Sequence, residues 1–320
     1  VETIVNKRPG TGQANLEVFS ETLQKLAQFD KDIIVVTSDS RGSGKLVPFA
    51  EKFPKQIVEI GIAEQNLVGV AAGIASTGKK VFAVSPACFL TARSFEQIKN
   101  DVAYSDNPVN LIGISAGVSY GALGSTHHSL HDFAALRAVN NMIIVAPADN
   151  YETEQAITQA AALNQPIYLR FGKKNMPHLL PESNDFQFGK GRIIRNGADL
   201  TIIGTGETVH PALQAAERLQ AEYGINATIV SMHTIKPLDY ELIARLAESG
   251  KPILTVEEHS IFGGLGEACA SFLMENNYRN PFKIMGIPDE YTVTGSQNDI
   301  FNHYGISESG ILAAARKLVS

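Results

Sequence analysis

Apolar residues recur in short blocks along the chain, and the period within the blocks switches between that of helix and that of strand. Leu16, Phe19, Leu23 and Leu26 fall three or four apart and predict a helix over 13–29. Asp32-Ile33-Ile34-Val35-Val36 follows as a β-branched run, the mark of a buried strand. Strands are predicted again over 81–84, 109–114, 142–145 and 166–169, with helices over 94–103 and 150–163 between them. The pattern then lapses into Pro177-His178-Leu179-Leu180-Pro181-Glu182-Ser183-Asn184-Asp185, which predicts a linker over 177–190. A second series starts at Gly191, with strands over 200–203, 227–231, 253–256 and 282–285 and a last helix over 311–319. Alternation of this kind predicts an α/β fold: two tandem domains, 1–176 and 191–320, with mostly parallel sheets covered by helices.

Composition narrows the class without changing that picture. With 44% hydrophobic and 19% charged residues, a chain of 320 residues has enough apolar material for two cores. Net charge is -6 and no lysine- or arginine-rich tract occurs, which argues against nucleic acid or an anionic membrane as a partner. Apolar runs break before the roughly 18 residues a bilayer span needs. The opening residues 1–8 are too short and too polar for a secretory signal. Cys88 and Cys269 lie far apart and make no disulfide framework, so a reducing cytoplasm is the expected setting.

Candidate chemistry concentrates in the first domain, around residues 58–75. This stretch begins as a short β-branched strand, passes through Gly61 and becomes a helix of apolar and small residues. Glu64 stands at the start of that helix with few polar neighbours. A carboxylate suits the positive end of a helix dipole; it also suits a buried acid held ready to share a proton with a ligand. Segment 85–98 carries Cys88, Phe89, Arg93 and Phe95 just before a helix, and Cys88 reads as a small buried residue rather than a nucleophile. Segment 121–132 places His127, His128 and His131 within five residues. His127 and His131 are one helical turn apart, yet no further cysteine or carboxylate cluster sits at ligand spacing, so no metal site is assigned.

Ile62-Ala63-Glu64-Gln65-Asn66, with the glycine- and alanine-rich helix behind it, resembles the glutamate motif of transketolases. The resemblance extends over nearly the whole chain but only to the latter half of an ordinary transketolase. It implies that Glu64 sits against the aminopyrimidine of thiamine diphosphate, with Phe89 as the ring partner and Arg93 and Asp39 near the cofactor. An ungapped match puts Leu90, one place later, where a stacking phenylalanine is often found. Thr126-His127 matches the Thr-His of many transketolases and implies an imidazole beside the reacting carbons. Arg170 resembles the arginine that grips a substrate phosphate, and Arg8 and Ser43 match positions that approach the same group. His128 and His131 are expected to be satisfied surface or interface histidines.

Two departures from the family bear on the substrate. Many transketolases carry an aspartate four places before the histidine, where this chain has Leu123; another family histidine aligns with Ser115. Both changes remove polar handles for an ordinary ketose phosphate and imply a branched, deoxy or otherwise altered sugar. In the second domain, residues 198–209, 235–239, 257–259 and 263–266 continue the resemblance, with a structural and dimerising role expected. No Gly-Asp-Gly motif occurs anywhere in the sequence. The resemblance therefore implies that the cofactor diphosphate and its Mg²⁺ are held by a separate N-terminal subunit, with two copies of each chain. Two rival readings are the β subunit of a thiamine-dependent 2-oxo-acid dehydrogenase and a non-enzymatic relic of the fold.

Overall fold

The computed structural model describes residues 11–179 and 185–320, so Arg8 lies outside the described residues. Strand β1 (Thr11–Ala14) leads into helix α1 (Asn15–Phe29), so the helix expected from residue 13 starts two residues later. It buries Leu16, Phe19 and Leu23 of the predicted row, while Leu26 is only partly buried and Ala27 beside it takes the fully buried place. Next come β2 (Ile33–Thr37), α2 (Val47–Lys52), β3 (Ile57–Glu59) and α3 (Glu64–Ala75). Strand β4 (Lys80–Pro86) precedes α4 (Ala87–Arg93) and the single turn α5 (Phe95–Gln97). The helix expected over 94–103 winds from Ile98 to Tyr104 with π-type bonding instead. Ser94 donates its hydroxyl to the Leu90 carbonyl at the junction, in competition with the backbone ladder. Strand β5 (Val109–Ile114), α6 (Asp132–Arg137), β6 (Ile143–Val145), α7 (Asn150–Ala160), β7 (Ile167–Phe171) and β8 (Asn175–Pro177) complete the first half.

The second half runs β9 (Arg192–Arg195), β10 (Leu200–Gly204), α8 (Val209–Tyr223), β11 (Ala227–Ser231), β12 (Thr234–Lys236) and α9 (Tyr240–Ala247). It ends with β13 (Ile253–Ser260), α10 (Leu265–Glu275), β14 (Phe282–Ile287), α11 (Gln297–His303) and α12 (Glu308–Val319). Its sheet has the order β14-β13-β10-β11-β9, parallel except for β9.

The larger sheet has the order β12-β6-β7-β5-β4-β2-β3, and its first strand belongs to the second half of the chain. β12 pairs antiparallel with β6 and covers what would be an open edge. The apolar core is likewise continuous across the seam: Leu67, Ala71 and Ile144 share one cluster with Met232, Ile235 and Leu265. The expected linker is partly packed as well. β8 pairs with β1, and Phe186 stacks on His233 with ring centroids 4.3 Å apart. Strands β2, β3, β4, β5, β6 and β7 all run parallel, which brings the loops after β2, β3, β5 and β7 to one edge. Open α/β sheets hold their ligands at this carboxyl edge.

Candidate active site

Glu64 opens α3 and is 4% exposed. Gly61 makes the sharp entry with a φ of 79°, and the loop is tied down by a residue the sequence reading passed over. Glu59 Oε1 accepts the backbone N–H groups of Asp39 at 2.6 Å and Gly61 at 3.0 Å, while Arg41 Nε donates to its Oε2 at 3.1 Å. The ends of β2 and β3 are thereby cross-linked beside the acid. Asp39 itself is exposed with φ 53°, and Ser43 Oγ donates to the Ser40 carbonyl in the turn that follows.

Arg93 Nη1 donates to both oxygens of Glu64, at 2.8 and 2.9 Å. The same guanidinium lies 4.2 Å from the centre of the Phe89 ring. A carboxylate edge and an aromatic face are thus satisfied together by one flat, nitrogen-rich cation. An aminopyrimidine offers the same pairing, a planar face with an N–H donor at its rim, so Glu64 and Phe89 fit that group once Arg93, which fills the place here, moves aside. Leu90, by contrast, is fully buried. Burial pushes the Cys88 thiol up to about 11, so it acts as packing.

His127 packs edge-on against Phe89 and Tyr120, with centroids 5.3 and 5.5 Å away, and its Nδ1 meets Thr126 Oγ1 at 3.0 Å. Glu64, Arg93, Phe89, His127 and Tyr120 therefore form one continuous chain of contacts. Tyr120 was not singled out from the sequence, although an aromatic seven places before His127 in a glycine-rich loop was a readable signal. His127 lies in a turn and His131 stands just before α6, so the two do not share a helical turn. His128 is buried: its Nε2 donates to the Gly121 carbonyl at 3.1 Å and its Nδ1 meets Thr292 Oγ1 at 2.6 Å. Burial lowers its pKa, so it serves as a neutral strut. His131 is exposed, Ser115 is fully buried with φ 54°, and Leu123 is 54% exposed at the mouth.

Arg170 is placed otherwise than expected. It is 6% exposed; Nη1 donates to Asp132 at 2.8 and 3.0 Å, Nη2 donates to the Glu258 carbonyl at 2.8 Å, and the guanidinium stacks on Phe133. These partners absorb the fork a phosphate would need, because a fully buried carboxylate such as Asp132 demands its own counter-charge. Lys173, beside the site, is a cation left without a carboxylate partner among the described residues. Its ammonium rests 3.9 Å from the centre of the Tyr120 ring, and burial lowers its pKa. Ser115, fully buried, likewise offers no surface to a ligand in this arrangement.

Comparison with known proteins gives the family. Residues 12–178 match the pyrimidine-binding domain of transketolase, and residues 189–311 match the transketolase C-terminal domain. The chain belongs to the transketolase family. This transketolase chain is 49% identical over 303 residues to an apulose-4-phosphate transketolase subunit of Phocaeicola vulgatus, covering 94% of this chain and 96% of that one. It is 36% identical over 288 residues to an apulose-4-phosphate transketolase subunit of Actinobacillus succinogenes, covering 90% and 92%. A split gene transketolase solved as an inactive beta4 tetramer superposes with a TM-score of 0.85 at 36% identity, over 96% of this chain and 98% of that chain. Matched along nearly its whole length by these chains, the protein is a transketolase subunit.

Proposed function

We propose that this transketolase subunit works with a separate diphosphate-binding chain, two copies of each, to move a two-carbon ketol unit from a ketose phosphate to an aldehyde. The observation that carries the reading is the Glu64–Arg93–Phe89 arrangement lying in contact with His127. Thiamine diphosphate, when bound, supplies the nucleophilic carbon, and its diphosphate and Mg²⁺ belong to the partner chain. On this chain, Glu64 holds the proton at the rim of the aminopyrimidine and Phe89 supports the ring face. Arg93, which holds Glu64 and covers Phe89 in this structure, gives way to the ring and remains beside it. His127, between two aromatic rings, is placed to bond a donor hydroxyl and to move a proton as the carbon–carbon bond breaks. Asp39, on the loop after β2, belongs with the cofactor, while Ser43 and Arg8 match family positions that approach the substrate phosphate.

The donor's far end carries an anion, and Lys173, resting on Tyr120 without a carboxylate partner among the described residues, is placed to meet it. Leu123, exposed where many transketolases have an aspartate, presents apolar surface to the sugar. A branched or deoxygenated ketose phosphate suits that wall better than an ordinary one. The two relatives named for apulose-4-phosphate support the same direction. Full-length likeness to split transketolases favours this reading over a 2-oxo-acid dehydrogenase subunit. Two unpaired cysteines, Cys88 and Cys269, suit the cytoplasm.

The test is to mix the chain with its diphosphate-binding partner, thiamine diphosphate and Mg²⁺ and to follow aldehyde release from a panel of ketose phosphates. Release that needs both chains and vanishes in Glu64→Gln supports the reading. Decarboxylation of a 2-oxo acid without any ketose cleavage would overturn it.

A further inference from the structure

The C-terminal domain grips the segment that bears Tyr120, Leu123 and His127 at two points. Thr292, after β14, holds its tip: Thr292 N–H donates to Ser125 Oγ at 2.8 Å and Thr292 Oγ1 meets His128 at 2.6 Å. Glu258, on β13, holds its base, its Oε1 accepting the Val118 N–H at 2.8 Å. Contact there is so close that a Cβ on Gly117 would stand 2.2 Å from the Glu258 carboxyl carbon.

A second acid lies behind the first. Gln297 opens α11, and its single amide nitrogen donates to Glu258 Oε1 and to Glu207 Oε2, each at 2.8 Å. Both acids are at most 5% exposed. Glu207 Oε1 has no hydrogen-bond partner, although it is buried against Gly172 and borders a small cavity lined by Thr205, Arg170 and Glu258. The charges facing the pair come from every packed element. Arg170 on β7 stands 3.9 Å from Glu258 Oε2 but is committed to Asp132 of α6. Lys174 faces Glu207 and rests on Phe301 of α11. Glu257 turns away onto the Leu265 and Gly266 amides. His259 is kept neutral by burial, and the exposed His131 faces Asp132. Among the described residues, Arg170 and Lys174 are thus the lysine and arginine charges that Asp132, Glu207 and Glu258 confront.

We propose that Glu207 and Glu258 share one proton in the folded chain, and that this proton sets the position of the 115–131 segment, making the C-terminal domain the positioning element of the donor site. Two buried carboxylates on one amide cannot both ionise cheaply. Burial first, then the charge of Glu207, pushes Glu258 up to about 7, and burial likewise raises Glu207. As pH rises through that value the proton leaves, the pair repels, and the ionised Glu258 turns from the Val118 N–H toward Arg170, 3.9 Å from its Oε2. Proton sharing stands independently of the proposed reaction; only its effect on donor binding rests on that reading.

Hydrogen exchange of the isolated chain, corrected for intrinsic rates, tests it between about pH 6 and 8.5. Protection of the peptide containing Val118 is expected to fall about tenfold in the wild type as the proton is lost, and to stay level in Glu207→Gln, which keeps a neutral partner at every pH. Constant wild-type protection, or the same fall in Glu207→Gln, overturns the proposal. A wild-type measurement covers the case of a variant that does not fold: the infrared band of a protonated carboxyl must persist above pH 6 and disappear by 8.5, and its absence at pH 6 overturns proton sharing. In the reconstituted enzyme the donor KM should rise over the same interval in the wild type but not in Glu207→Gln, with kcat held. If the wild type transfers nothing at any pH, the proposed function fails while the exchange result still decides the proton.

Discussion

Arg170→Met separates a structural arginine from a phosphate-binding one. In the folded chain Asp132 is fully buried, and its carboxylate is held by Arg170 at 2.8 and 3.0 Å and by the Tyr168 hydroxyl at 2.7 Å. His259 Nε2 is 3.7 Å away, but burial pulls that imidazole down to about 4, so it is neutral and contributes little counter-charge. Removing the guanidinium therefore leaves a charged carboxylate in the seam between the domains. Breaking a buried pair from one side costs roughly 3–5 kcal/mol. At about 2–4 °C per kcal/mol for chains approaching this size, the midpoint should fall by on the order of 10 °C. The assay is calorimetric unfolding of the isolated chain near neutral pH. Arg170→Met combined with Asp132→Asn should recover most of the loss, because the uncompensated charge is gone. The acid side supplies a second check. Burial raises the Asp132 pKa, but Arg170 and the neighbouring donors outweigh it and hold it below 3.8, so its stabilisation is present above that value and lost as pH falls through the lower one. The acid limb should flatten in the double variant. A melting point within about 2 °C of wild type for Arg170→Met alone would refute the assignment and return Arg170 to the substrate.

Three other outcomes are expected. Glu64→Gln should leave the melting curve near that of the wild type and reduce ketol transfer by at least about a hundredfold, as the loss of a proton-handling group does; retained transfer in the reconstituted enzyme would exclude Glu64 from that role. Lys173→Met should raise the KM for a phosphorylated donor by about tenfold or more, the size of one charge-assisted contact, with little change in kcat or for an unphosphorylated sugar; equal effects on both sugars would remove Lys173 from the anion site. Gly172→Ala should destabilise the seam by about 1–3 kcal/mol through overpacking, since its Cβ would come 1.7 Å from Glu207 Oε1; an unchanged urea midpoint would show that Glu207 moves aside freely.

Much of this molecule was legible in residue order because the signals are local. Apolar spacing marked α1, β2 and the repeated strand–helix units, since side-chain period depends only on backbone geometry. Glu64, Phe89 and His127 could be picked out because each lies in a short motif, and the structure joins them into one line of contacts. What residue order could not show is which charges meet. Arg170 reads as a free cation until Asp132, 38 residues earlier, and Glu258, 88 residues later, are brought against it. Strand β12 crossing into the first sheet, the Glu207–Gln297–Glu258 cluster and the release of Lys173 are of the same kind. Each depends on long-range burial, which strips away water and makes every charge choose a partner in space. Sequence determined the elements, the family and the candidate site residues; packing between the two domains decided which of their neighbours are already paired.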